Sequence, residues 1–322
     1  GQRPAAALPA HPLPAHWDRF RHVPGVVDLA GPHGDGSFTV AAAGRLLVLN
    51  RSGALAPFAR GPGGYATAIG PEPYLATTTA VPVAGTHCSF GTGTVFALQP
   101  GAPPGVIRIG TSGQARRFAS LAGTGTPDGI AFDTTGSFGH RLLVTARGPG
   151  HTTVLAIDCT GGLRIITRQA PSMEGGMSVA PASFGRYGGD LIAPNEGTGR
   201  VYAIAPDGRV STLVESGLPH GGDIGVESTG FVPPGFTAGD AAYLADRYSR
   251  GNRHPGTNSI LRLPGTELAQ AGVRPGDLLV ATEGSALTIA VRCAARCTVR
   301  EIAAGPAISH AEGHIVFTGA VG

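Results

Sequence analysis

Acidic residues stand ahead of short apolar stretches at nearly even spacing along this chain. TPDGIAFD, MEGGMSVA, HGGDIGVES and AEGHIVF carry Asp128, Glu174, Asp223 and Glu312. The apolar anchors Ile130, Met177 and Ile224 are 47 residues apart, and Ile315 follows after a further 91, close to two periods. Equivalent strands would bring these carboxylates together. Crowded carboxylates repel and raise one another's pKa, so such a ring favours a bound cation. Oxygen ligands favour calcium over zinc. Asp and Gly before a strand are also ordinary turn formers, which gives Asp128 in PDG a purely structural reading. Glu174 and Glu312 fit that reading less well, because Glu is a poor turn residue and both stand three residues before their anchors. Asn195 and Glu196 end one apolar run, and Asp246 with Arg247 ends another. His220 and His314, with His310 on the other side of Glu312, offer a general base or a nitrogen ligand. Each of these histidines taken alone reads equally well as a surface or hydrogen-bonded residue.

The elements that must position these groups are short strands. VLNRSGALAPFA, VIRIGTSGQARRFA, AIDCTGGLRIIT and AIAPDGRVSTLV share an apolar strand, a turn ending in Gly53, Gly113, Gly161 or Gly208, and a second strand. Gly139, Gly189, Gly239 and Gly276 each open a further strand. A period of about 40 to 50 residues with four strands per unit is the mark of a β-propeller. The expectation is an all-β, six-bladed propeller whose ring is closed by strands from the N- and C-termini. Blades are expected near residues 64–121, 127–169, 174–215, 221–264 and 265–303. In the sixth, AEGHIVF would join the segment from Gly36 to Ala59. Residues 1–24 are expected to form an extended surface arm pinned by Trp17 and Phe20, and residues 25–322 a single domain.

Composition narrows the chemistry. The 52 Gly and 27 Pro fall between apolar runs in a chain that is 42% hydrophobic, so they read as turns between many strands. All 24 basic residues are Arg. Without a lysine amine, Schiff-base chemistry and a Walker-type phosphate loop are excluded. The arginines are scattered and aromatics are only 6%, which argues against a nucleic-acid partner. No stretch is long enough to span a membrane, and no GxSxG elbow marks a serine hydrolase. The four cysteines predict two disulfides, Cys293 with Cys297 and Cys88 with Cys159, in an exported protein whose signal peptide has been removed. A monomer is expected.

AEGHIVF resembles the GEGPVW motif of the gluconolactonase, senescence-marker-protein and luciferin-regenerating-enzyme group of six-bladed propellers. TPDGIAFD resembles that group's PDGMA-type strand. The resemblance implies that Glu312 and Asp128 ligate a calcium-type ion in the channel, and that the substrate is a small lactone or related ester. It covers the blade pattern and these two motifs. In the family the first motif opens the chain, whereas Glu312 lies near the end, and Glu174 with Asp223 or Asn195 would stand where the family has Asn ligands. The competing expectation is a non-catalytic propeller that presents rim loops, such as 81–106 and 248–258, to a protein or glycan.

Overall fold

The structure, a computed structural model, describes residues 12–60, 73–101, 103–173 and 175–319. Six small antiparallel sheets stand in a ring. Blade 1 comprises Val26–Ala30, Phe38–Ala42, Arg45–Leu49 and Leu55–Arg60, and blade 2 comprises Leu75–Thr77, Val95–Gln99, Gly105–Ile109 and Ala115–Ser120. Thr126–Phe132, Leu142–Arg147, Thr152–Ile157 and Leu163–Ala170 form blade 3. Ser178–Val179, Leu191–Asn195, Arg200–Ile204 and Val210–Glu215 form blade 4. In each of these the first strand lies innermost. The described residues also include one short helix, Gly265–Gln270.

Strands such as LLVTA at 142–146 and LIAPN at 191–195 are buried along their whole length. Each blade is covered on both faces by its neighbours, so its inner strands read as continuous apolar runs rather than as an alternation. The core is accordingly divided into six parts, one between each pair of adjacent blades. Phe96, Leu98 and Ile130 pack between blades 2 and 3, for example, and Phe38, Tyr243 and Ile260 between blades 1 and 6. Outermost strands such as Ala115–Ser120 are largely exposed. The turn glycines Gly53, Gly113, Gly161 and Gly208 all adopt φ between +81° and +90° and donate to the carbonyl three residues earlier, which makes them equivalent hairpin corners.

The ring closes with strands from both ends of the chain, but by a different pairing from that expected. Blade 5 takes Val226–Phe231 as its inner strand and pairs it with Leu278–Thr282, followed by Thr288–Cys293 and Cys297–Ala304. The intervening chain leaves to build the middle of blade 6, Ala241–Asp246 and Ser259–Pro264. The C-terminal Ala311–Phe317 pairs with Ala241–Asp246, not with the segment from Gly36 to Ala59. That segment has an inner strand of its own in the fully buried Val26–Ala30, so it needs none from the C-terminus. Asp18–His22 completes blade 6 as its outermost strand, and Ala15–His16 runs parallel to the edge of blade 5. Between them Trp17 is buried, with its Nε1–H donating to Thr288 Oγ1 at 2.9 Å. Phe20 packs edge-on against Tyr243.

Both expected disulfides are formed. Cys88 with Cys159 ties the loop after the first strand of blade 2 to a hairpin of blade 3, and Cys293 with Cys297 closes a hairpin in blade 5. Among the described residues no helix is long and apolar enough to cross a membrane.

Candidate functional site

Inner strands of four blades carry a buried acidic residue: Asp28, Asp128, Glu227 and Glu312. All four lie at or beside a break in strand register, the one in blade 6 immediately following Glu312. Asp128 and Glu227 occupy the skipped positions of their ladders, and the break in blade 1 immediately precedes Asp28. A bulge of this kind re-aims a side chain out of the pleat alternation.

Glu312 anchors the larger cluster. Its partners come from the ends of neighbouring strands, which reach the mouth where the inner strands begin. Arg247, just after Ala241–Asp246, places Nη1 3.1 Å from Glu312 Oε1. The Tyr74 hydroxyl lies 2.9 Å from Glu227 Oε1 and also bonds Glu312 Oε2. Glu283 directly follows Leu278–Thr282, and His310 directly precedes Ala311–Phe317. His310 Nε2 is 2.7 Å from Glu283 Oε1 and 3.4 Å from Glu312 Oε1. Its Nδ1 faces the His254 carbonyl at 3.1 Å. A carbonyl only accepts, so Nδ1 carries a proton and Nε2 is the atom turned to the carboxylates. The backbone N–H of His310 donates to the fully buried Asp246, which fixes the residue further.

The electrostatics follow from this crowding. Burial works to discharge His310, yet the two carboxylates outweigh it and push its pKa up to about 10. Burial raises the pKa of Glu283, and the Glu312 charge adds to that. Glu312 moves the other way: burial opposes its charge, but Arg247 and His310 hold its pKa below the usual carboxylate range. One oxygen of Glu283, Oε2, is buried without a hydrogen-bond donor, and the Glu196 carboxyl lies beside this residue.

His314 lies two residues farther along the same strand and joins three blades. Its Nδ1 meets Asp28 Oδ2 at 2.8 Å, and its Nε2 meets the Ile130 carbonyl at 2.8 Å. Both partners accept, so both ring nitrogens are protonated and the ring is a buried cation paired with Asp28. Burial works against that charge, but the Asp28 carboxylate and its hydrogen bonds prevail and raise the pKa. Asp28 also takes N–H groups from Leu29, Leu75 and His314. Here the inner strands nearly touch. A Cβ on Gly176 would collide with the Gly313 carbonyl across the channel, so these positions admit only glycine without rearrangement.

Of the residues singled out from sequence, Glu312 lies in the cluster. Asp128 is buried, with its Oδ1 accepting from the Thr145 hydroxyl at 2.8 Å. Asn195 is used by the turn that follows its strand, accepting from Thr198 N and donating to the Ser172 carbonyl. Asp223 and His220 are exposed in the loop before Val226–Phe231, and the structure does not bring them to Glu312. Glu174 lies outside the described residues. Sequence reasoning missed Asp28, Tyr74, Glu227, Glu283 and the carbonyl of His254. Glu283 had a signal, because LLVATEG at 278–284 repeats the form of LIAPNEG at 191–197. Glu227, four residues beyond Asp223, was hidden by assigning the repeat to the loop rather than to the strand after it.

Among the described residues, one group offers three metal-ligating side chains together: Glu283, His310 and Glu312, each with a ligand atom within 4.8 Å of the others. By sequence, the chain matches no protein family and none of the curated proteins. By shape it is similar to several solved propellers. These include virginiamycin B lyase from Staphylococcus aureus, with a TM-score of 0.47 and 11% identity over 88% of this chain and 73% of that one. Regucalcin from Agrobacterium tumefaciens, a calcium-binding protein, gives 0.41 and 10% over 74% of each chain. A gluconolactonase from Xanthomonas campestris gives 0.39 and 15% over 77% of this chain and 87% of that one. The gluconolactonase group that the motifs resemble is thus among the folds similar to this chain.

Proposed function

We propose that this propeller is an exported, divalent-metal-dependent hydrolase or lyase of lactone- or ester-like small molecules, with its metal held by Glu283, His310 and Glu312. The observation that carries the reading is the fixed orientation of His310. The His254 carbonyl holds the proton on Nδ1, so Nε2 faces two carboxylates, the arrangement that outer partners impose on a metal-binding histidine. The donor set fits a cation. Two carboxylates and an imidazole converge, and one buried oxygen of Glu283 has no donor. The nitrogen ligand shifts the preference from calcium toward zinc or manganese. A cation bound there would polarise a carbonyl oxygen and make a bound water more acidic. Among the chain's own groups, Tyr74 holds a proton between Glu227 and Glu312, and Arg247 holds Glu312 in place. His314 is committed to Asp28 and Ile130, and His220 lies on an exposed loop, so with His310 Nε2 given to the metal, Tyr74 is the group of the cluster that holds or moves a proton. The paired disulfides support export.

One observation favours the non-catalytic reading. Arg247 and a protonated His310 balance Glu283 and Glu312 without any added ion. The two readings separate in one experiment. Protein purified without chelator is assayed for bound metal, melted in zinc, manganese, calcium or EDTA, and tested on γ- and δ-lactones. A specific cation at 100 times its Kd should stabilise the wild type by about 2.7 kcal/mol, and Glu283→Gln should lose bound metal and lactone hydrolysis together. Identical melting in every condition with no bound metal would establish the charge-balanced, non-catalytic reading.

A further inference from the structure

The opposite mouth of the channel, where the inner strands end, opens on a cavity of about 270 Å³. Its walls include Leu29, Leu75, Phe132, Met177, Phe231 and Phe317. This volume is at the small end of ligand sites, which run from about 300 Å³ upward and are mostly apolar with a few placed polar groups. His314 is the one ionisable residue among the lining residues, and both of its nitrogens are already bonded to Asp28 and Ile130. The cup therefore offers no free charge to recognise an ionic ligand.

Thr77, Thr134 and Ser178 are the hydroxyl residues lining the cup, and Ser178 is taken as the polar handle because its contact with Thr229 fixes its hydroxyl. The Thr229 hydroxyl spends its only proton on the Gly176 carbonyl at 2.6 Å. The 2.9 Å contact between Ser178 Oγ and Thr229 Oγ1 must then be donated by Ser178. Ser178 is left with lone pairs and no proton to offer, on a side chain that lines the cavity and is only partly buried. A ligand there must bring its own donor. From this geometry we infer that the cup binds a small uncharged ring compound bearing one hydroxyl or N–H donor, a phenol in its simplest form.

This site is separate from the proposed metal centre. Along Ala311–Phe317, Gly313 separates Glu312 from His314, the first residue of that strand to line the cup. The residues lining the cup include none of Glu283, His310 and Glu312, and the test does not depend on metal.

The full chain is titrated with phenol and with toluene by ligand-observed NMR. Phenol and toluene should both bind, phenol more tightly. Ser178→Ala should weaken phenol about two- to tenfold, the worth of one net hydrogen bond, while leaving toluene unchanged. Val179→Trp, which fills the cup from its partly exposed rim, should abolish binding of both with the fold retained. Should that bulky variant fail to fold, the Ser178→Ala comparison alone decides. The inference is overturned if the wild type binds neither probe, if Ser178→Ala changes both or neither, or if a folded Val179→Trp binds as the wild type does.

Discussion

Replacing Asp28 with Asn tests whether the centre of the propeller is held by a buried ion pair. The substitution keeps the shape but removes the charge opposite His314. It also turns an amide NH2 toward a site that now accepts from three backbone N–H groups and an imidazolium. Breaking one side of a buried pair costs about 3–5 kcal/mol, because the other charge is left without compensation. For a chain of this size the unfolding entropy, about 2.1 cal/mol/K per residue, converts that loss into a fall in Tm of roughly 4–7 °C. The assay is urea and thermal unfolding followed by fluorescence. Trp17 is the only tryptophan and lies buried where the N-terminal strands close the ring, so its emission reports closure directly. Removing both partners in Asp28→Asn/His314→Gln should cost less than the two single losses added together, with a coupling of about 1–3 kcal/mol. A single-variant loss under about 1 kcal/mol, or an additive double variant, would refute the buried pair.

Asp190 gives a prediction in pH. Burial pushes its pKa from 3.8 up to about 6, against the pull of Arg209 and with the push of Asp207. A carboxyl with a raised folded pKa binds its proton more tightly when folded, so its contribution is full below pH 3.8 and lost as pH rises through about 6. Asp190→Asn should flatten that part of the stability profile and stabilise the protein at pH 7 by up to about 3 kcal/mol; an unchanged slope between those values would show that the carboxyl is not strained. The two disulfides should differ in effect. Losing Cys88–Cys159, which closes a span of 71 residues, should cost about 4 kcal/mol, and losing Cys293–Cys297, with a separation of 4, about 2 kcal/mol by the loop-entropy relation. Denaturation of the two serine-pair variants checks the order, and the reverse order would place the stabilisation in local strain rather than in chain entropy.

What the sequence determined by itself is the repeat. Gly53, Gly113, Gly161 and Gly208 recur because the outer hairpin of each of blades 1 to 4 needs the same left-handed corner, and only local backbone sterics select for it. The cysteine pairs were legible too: one lies across a single hairpin, and the remaining two had only each other. Short apolar runs separated by Gly and Pro pointed to many short strands, and the structure shows that the inner ones are covered on both faces. The tertiary structure alone decided which strand joins which blade. Val226–Phe231 passes over the nearest strand in the chain, Ala241–Asp246, and pairs with Leu278–Thr282. That choice is set by how Leu244, Leu261 and Leu279 pack between blades 5 and 6, which no local pattern encodes. It decided the site as well. Asp223 matched the repeat in spacing, yet it falls in an exposed loop, while the bulged Glu227 just beyond it is buried beside Tyr74. Glu283, His310 and Glu312 meet because a second strand, a loop and the last strand of two blades end at one mouth, and His310 acquires its orientation from the carbonyl of His254, 56 residues away. A side chain's charge partners are fixed by the packing of distant strands, so sequence spacing could nominate the acids but not choose among them.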